Sequence, residues 1–211
     1  NIVGAKRGDA IEVEIVDIAP DEYGYTVIAP GFGFLRDVFT EPYIVNWRLT
    51  RNGAVSSEMP GVTVPYEAFP GSIGVMPGNQ EVDKILKREA GLAGAGGAVL
   101  MPSGPGALPA DLCGEGGTAE DRCLRTIPPR ENGGNMDVQQ QQIGTRMLFP
   151  CFIDGCGLFV GDVHYAQGDG EVSGTAIEMG SITTLRVVKI HEGKGAKMSM
   201  PATKGNDQII D

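Results

Sequence analysis

Asp9-Ala10-Ile11-Glu12-Val13-Glu14-Ile15-Val16-Asp17-Ile18 sets Ile11, Val13 and Ile15 against Glu12, Glu14 and Val16. Successive strand residues point to opposite faces, so this period of two predicts a half-buried β-strand and decides for a β-rich chain. Pro20 with Asp21-Glu22 is expected to end the strand in a turn.

Outward from that strand the text keeps the same character. Residues 43–49 are strand-like, and Arg51-Asn52-Gly53-Ala54 before Val55 reads as a hairpin, because Asn-Gly supplies the positive φ angles of a tight turn. Val62-Thr63-Val64 and residues 72–76 are short strands bounded by Pro60, Pro65, Pro70 and Pro77. Residues 147–152, 157–164, 172–178 and 181–190 resume the pattern. One surface helix is predicted over residues 81–90, with Val82, Ile85, Leu86 and Ala90 on one face and charges on the other. Residues 91–134, rich in Gly and Pro, are expected to form a long ordered loop that covers a site.

The chain has 211 residues, 41% of them hydrophobic, enough for a real core. Its net charge of −10, from 17 basic and 27 acidic residues, disfavours nucleic acid and anionic membranes as partners. No apolar run approaches the roughly 20 residues a bilayer requires. The first residues lack a signal-peptide pattern, so the expected location is the cytoplasm. The chain starts without Met, and is expected to be part of a longer one. Cys113, Cys123, Cys151 and Cys156 match neither paired C-x-x-C zinc spacing nor a dense disulfide framework, so they are expected to be reduced thiols.

Chemistry concentrates in Gly161-Asp162-Val163-His164-Tyr165-Ala166-Gln167-Gly168-Asp169-Gly170-Glu171. With residues 158–164 as a strand, 166–170 as a turn and 171–178 as the return strand, Asp162 and His164 share a face, and Asp169 and Glu171 begin the return. Two chemistries fit. His164 with Asp162 and another carboxylate suits a divalent metal that activates water. Alternatively, Glu171 or Asp169 serves as a general base, its pKa raised by like charges. A second cluster precedes it: in Arg130-Glu131-Asn132-Gly133-Gly134-Asn135-Met136-Asp137, Gly133 and Gly134 would offer N–H groups to a carbonyl oxygen, while Asn135 or Asp137 fixes an amide or a metal.

Gly133-Gly134-Asn135-Met136-Asp137, Met147-Leu148-Phe149-Pro150, the run from Gly157 to Glu171 and Gly174-Thr175-Ala176-Ile177-Glu178 together resemble the signature of the acetamidase/formamidase family. The likeness extends more loosely to Gly4-Ala5-Lys6-Arg7-Gly8-Asp9 and Gly74-Val75-Met76-Pro77. Ser173 departs from the Cys of many relatives. The resemblance implies a mainly β, jelly-roll-like sandwich, with residues 1–211 as one domain. It implies hydrolysis of formamide or acetamide to ammonia and a carboxylate. Glu171 would be the base, tuned by Asp169. Asp137, Asp162 and His164 would be metal ligands or orienters, for zinc first and calcium second. Gly133, Gly134 and Asn135 would bind the substrate, and a homo-oligomer is expected. Two rivals remain: a non-catalytic β-sandwich that holds calcium in its acidic hairpin, and a cysteine hydrolase using Cys151 or Cys156.

Overall fold

The computed structural model describes residues 1–97, 107–204 and 209–210. Leu100, Met101 and the rest of residues 98–106, inside the expected covering loop, lie outside that description. The chain is mainly β. Its strands are β1 (Ala10–Ile28), β2 (Tyr43–Thr50), β3 (Gly53–Val55), β4 (Thr63–Val64), β5 (Phe69–Gly74), β6 (Gly133–Asn135), β7 (Arg146–Pro150), β8 (Phe159–His164), β9 (Glu178–His191), β10 (Ala202–Lys204) and β11 (Ile209–Ile210). The helix α1 spans Asn79–Gly94 and the short α2 spans Ala110–Cys113. Among the described residues no helix is long and apolar enough to cross a membrane.

Every pairing given for these strands is antiparallel, and the hydrogen-bonded path runs β11-β10-β7-β1-β9-β8-β5-β6, with β2, β3 and β4 branching from β1. The first half of β1 pairs with β7 (Ile11↔Phe149, Val13↔Met147), and its second half pairs with β2 (Tyr23↔Arg48 to Ile28↔Tyr43). β9 lines the other edge of both halves. One long strand therefore serves two sheet segments, as a folded sandwich requires.

The strand does not stop at Pro20, contrary to the sequence reading. A register shift between Pro20 and Gly24 opposite β9 absorbs the residue that cannot donate to the ladder, and the strand bends and continues. Ile11, Val13 and Ile15 are fully buried, as their alternation predicts, and pack with Ile73, Val75, Met147 and Phe149. Filling such positions is worth about 1.5–3 kcal/mol per large side chain. A second cluster, Trp47, Leu49, Ala54, Tyr165, Ala166 and Ile177, lies under the β2–β3 hairpin. The hairpin is where the sequence places it, but its turn is Arg51-Asn52, and Gly53 at φ 151° already begins β3, so Asn52 does not take the positive φ expected of it.

Two further expectations are corrected. α1 is longer than residues 81–90, and its buried positions are Ile85 and Glu89, whereas Ala90 is exposed. The four cysteines are not free thiols: Cys113 pairs with Cys123 and Cys151 with Cys156, at Cα separations of 5.7 and 4.6 Å. These separations lie within disulfide reach. Folding across short loops brings each pair together, which spacing alone did not announce.

Candidate functional site

β8 and β9 form the hairpin that carries the acids, but its connection is longer than the sequence suggests. Residues 165–177 belong to no strand, β9 begins at Glu178, and Glu178 pairs directly with His164. Two bonds close the base of the loop: Tyr165 N–H donates to Ile177 O (2.8 Å) and Ile177 N–H to Ala166 O (3.1 Å). Buried Tyr165 anchors it through a hydroxyl donated to Thr50 O (2.6 Å). Glu171 stands within this loop at φ +44°, a value a regular strand cannot hold.

Three of the four non-glycine residues described with positive φ are site acids: Asp137 (52°), Asp162 (52°) and Glu171 (44°). Such conformations are uncommon for residues with a Cβ and cluster where function aims a side chain. The acids surround His164, which is 1% exposed. Its Nε2 lies 3.5 Å from Asp162 Oδ1 and 3.5 Å from Glu178 Oε1, and its Nδ1 lies 4.0 Å from Asp137 Oδ1. Nδ1 donates to Gln167 Oε1 at 2.9 Å, which leaves Nε2 to face the two carboxylates. Phe69 meets the imidazole edge-on at 5.2 Å between centroids.

The environment pushes these carboxyls apart. His164 holds Asp162 below the usual carboxylate range against the pull of burial. Burial raises Asp137 and Glu178. Glu171 is pushed up to about 7, by burial first and the Asp137 charge second. For His164 burial works against the charged form, yet Asp162, Glu178 and Glu171 outweigh it and the pKa rises. Groups with separated proton affinities in one cleft can divide the roles of acid and base. The cleft has a volume of about 1040 Å³; Asp137, Asp162, Glu171 and Glu178 line it, facing apolar walls that include Phe32 and residues 127–129.

Two overlapping ligand sets emerge: Asp137, Asp162 and His164, and His164, Glu171 and Glu178, each with its donor atoms within 4.8 Å of one another. Asp137 Oδ1 is buried without a hydrogen-bond partner. A buried lone acceptor is costly unless something satisfies it, so the donors fit a cation.

The other sequence-nominated residues stand differently. Asp169 is exposed and accepts from Gln139 Nε2 at 2.7 Å; the charges that crowd Glu171 are Asp137, Glu178 and Asp162. Gly133 N–H donates to Arg130 O (2.9 Å) rather than facing an open space. Gly133 and Gly134 line a neighbouring cleft, and Asn135 borders both. Cys151 and Cys156 are buried and bonded to each other, so the thiol-hydrolase reading falls.

Sequence reasoning missed Glu178, Gln167, Gly71 and Ser72. Glu178 stood in the quoted signature, but a short turn would have left it at the far end of the return strand; the longer loop sets it opposite His164. Ser72 reaches Asp162 Oδ2 (3.2 Å) and Asn135 Oδ1 (2.9 Å) from 90 and 63 residues away, a distance no local pattern spans.

The family model of the acetamidases and formamidases matches residues 1–207. The chain belongs to the acetamidase/formamidase family. Within this family it is 34% identical to the acetamidase of Mycolicibacterium smegmatis and 31% identical to the formamidase of Methylophilus methylotrophus, each over 91% of the chain. It covers 52% and 50% of those proteins, so it spans about half the length of the curated relatives it matches. Its fold is similar to a gamma lactamase from Delftia acidovorans, with a TM-score of 0.85, 32% identity, and coverage of 95% of this chain and 53% of that one. An acetamidase from Bacillus halodurans matches at TM-score 0.67 and 26% identity, over 95% and 52% of the two chains.

Proposed function

We propose that this acetamidase/formamidase chain carries the acid–base centre of an amidohydrolase for short aliphatic amides such as formamide or acetamide. The observation that carries the reading is Glu171, a carboxyl raised to about 7 in a cleft that Asp137, Asp162 and Glu178 also line. A base poised near neutrality takes a proton from water and returns it with little penalty. In this scheme the water oxygen bonds to the amide carbon as Glu171 accepts its proton. Glu171 then delivers that proton to the departing nitrogen as the C–N bond breaks, leaving ammonia and a carboxylic acid, which loses its proton to solvent to become the carboxylate. His164, buried beside Asp162 and Glu178, orients their carboxylates.

Asp137, Asp162 and His164 would hold a divalent cation, with the orphaned Asp137 Oδ1 as the most telling ligand. When bound, such an ion polarises the amide carbonyl as a Lewis acid. The imidazole favours zinc over calcium, whose sites are built from oxygen. The roles of Asp169 in tuning Glu171 and of Gly133, Gly134 and Asn135 in holding substrate are proposals of lower rank, given their positions.

The non-catalytic calcium module leaves the raised carboxyl and its cleft without a purpose. Homo-oligomer formation is supported by exposed Phe34, Val38, Tyr43 and Ile44. Two disulfides favour an oxidising compartment over the cytoplasm. Ammonia release from formamide and acetamide, measured together with bound metal before and after chelation, tests the reading. Metal without turnover would favour the binding module.

A further inference from the structure

Glu89 faces inward from α1 where an apolar side chain would cost less. Its side chain is 10% exposed and that of its partner Arg130 is 6% exposed. The pair is bidentate, with Nε–Oε1 at 2.7 Å and Nη2–Oε2 at 3.1 Å. Arg130 spends its remaining terminal nitrogen on the chain itself: Nη1 donates to Arg125 O (2.6 Å) and Pro128 O (3.3 Å). Its backbone exchanges hydrogen bonds with Gly133 at 3.0 and 2.9 Å. The guanidinium thus sits inside the turn of residues 125–133 and grips it from within, while Glu89 ties the turn to a helix.

That turn borders the catalytic cleft. Ile127, Pro128 and Pro129 form part of its wall. Ile127 O accepts from Asn135 Nδ2 at 3.1 Å, and Asn135 Oδ1 shares the single hydroxyl proton of Ser72 with Asp162. A continuous path therefore links Glu89 to the acid cluster. Burying an ion pair gains little stability over apolar packing, and its attested use is to fix one geometry. Lysine could not replace the fork, because a point charge cannot hold a carboxylate and two carbonyls in one plane.

We infer that the Glu89–Arg130 pair is a positioning device that fixes the wall of residues 127–129 and so limits the size of the amide body the cleft admits. This rests on the amidase reading above. Neither residue touches the reacting atoms; each acts through the wall.

The test measures kcat/KM for formamide and for phenylacetamide with the whole protein, its Glu89→Gln variant and its Arg130→Lys variant. A loosened wall raises the phenylacetamide-to-formamide ratio by about tenfold in both variants, the scale of a pocket-size effect. A ratio held within about twofold, with both rates falling in parallel, marks a simple loss of folded protein and overturns the inference. A falling ratio overturns it too, because the wall would then attract the larger body. Hydrogen exchange needs no turnover and separates the two proposals: residues 125–135 should exchange about tenfold faster in Glu89→Gln while β1 and β9 keep their protection. Unchanged exchange there overturns the positioning role, whereas faster exchange in a protein that hydrolyses neither amide overturns the amidase reading instead.

Discussion

Gly71 on β5 faces the His164 imidazole so closely that a Cβ at position 71 would lie 2.6 Å from His164 Cε1 and 2.7 Å from Nε2. The space is needed because Asp162, across the β5–β8 ladder, places its carbonyl oxygen 2.8 Å from the same point. Gly71→Ala should therefore push the imidazole from its carboxylates. The expected cost is about 1–3 kcal/mol in chemical denaturation, with loss of amide hydrolysis. An alanine variant with unchanged stability and turnover would show that His164 tolerates displacement.

Glu171→Gln removes the proposed base while keeping its shape. Turnover should fall by about a hundred- to ten-thousandfold. The stability effect runs the other way. Glu171 ionises at about 7 in the folded chain and from its usual 4.5 when unfolded, so the folded state is penalised increasingly from pH 4.5 to 7 and fully above that. Chelator-treated Glu171→Gln should accordingly be the more stable protein at pH 8, on the order of 1–2 kcal/mol after solvent screening, with no gain at pH 4. Equal unfolding midpoints for variant and wild type at pH 8 would show that burial does not raise this carboxyl.

At the opposite end of the sheet, Glu12 accepts from His191 Nε2 at 3.0 Å, joining β1 to the last residue of β9. The His191 hydrogen bond holds the Glu12 carboxyl below its usual 4.5. A depressed carboxyl stabilises the fold above the unfolded value and loses that contribution as pH falls through the folded one. Wild type should consequently be more stable than Glu12→Gln at pH 7, and the two curves should converge as acid protonates Glu12 in the folded chain. Parallel curves across that range would leave the pair without a part in acid unfolding.

The Cys151–Cys156 bridge closes the turn after β7, and Cys156 itself sits at φ +55°. Closing so short a loop is worth about 2 kcal/mol in the chain-entropy picture. Reduction should lower the thermal midpoint, while an alkylating agent added to the unreduced protein leaves amide hydrolysis intact. Inhibition by that agent without a reductant would expose a free thiol and revive the cysteine route.

The sequence determined the local order of this protein by itself. Alternation at Ile11, Val13 and Ile15 set the core face of β1, the turn signal at residues 51–54 located the first hairpin, and the glycine-spaced acids around His164 marked the candidate site. Each is a short-range signal, because strand periodicity and turn conformation are properties of neighbouring residues. Tertiary structure decided the rest: that β1 bends past Pro20, that Glu178 joins the loop residue Glu171 beside His164, that the cysteines pair, and that Gly71, Ser72 and the Glu89–Arg130 pair complete the surroundings of the cleft. Those relations join residues distant in the chain through register and burial, and a carboxyl's proton affinity follows from the charges and solvent it meets only after folding.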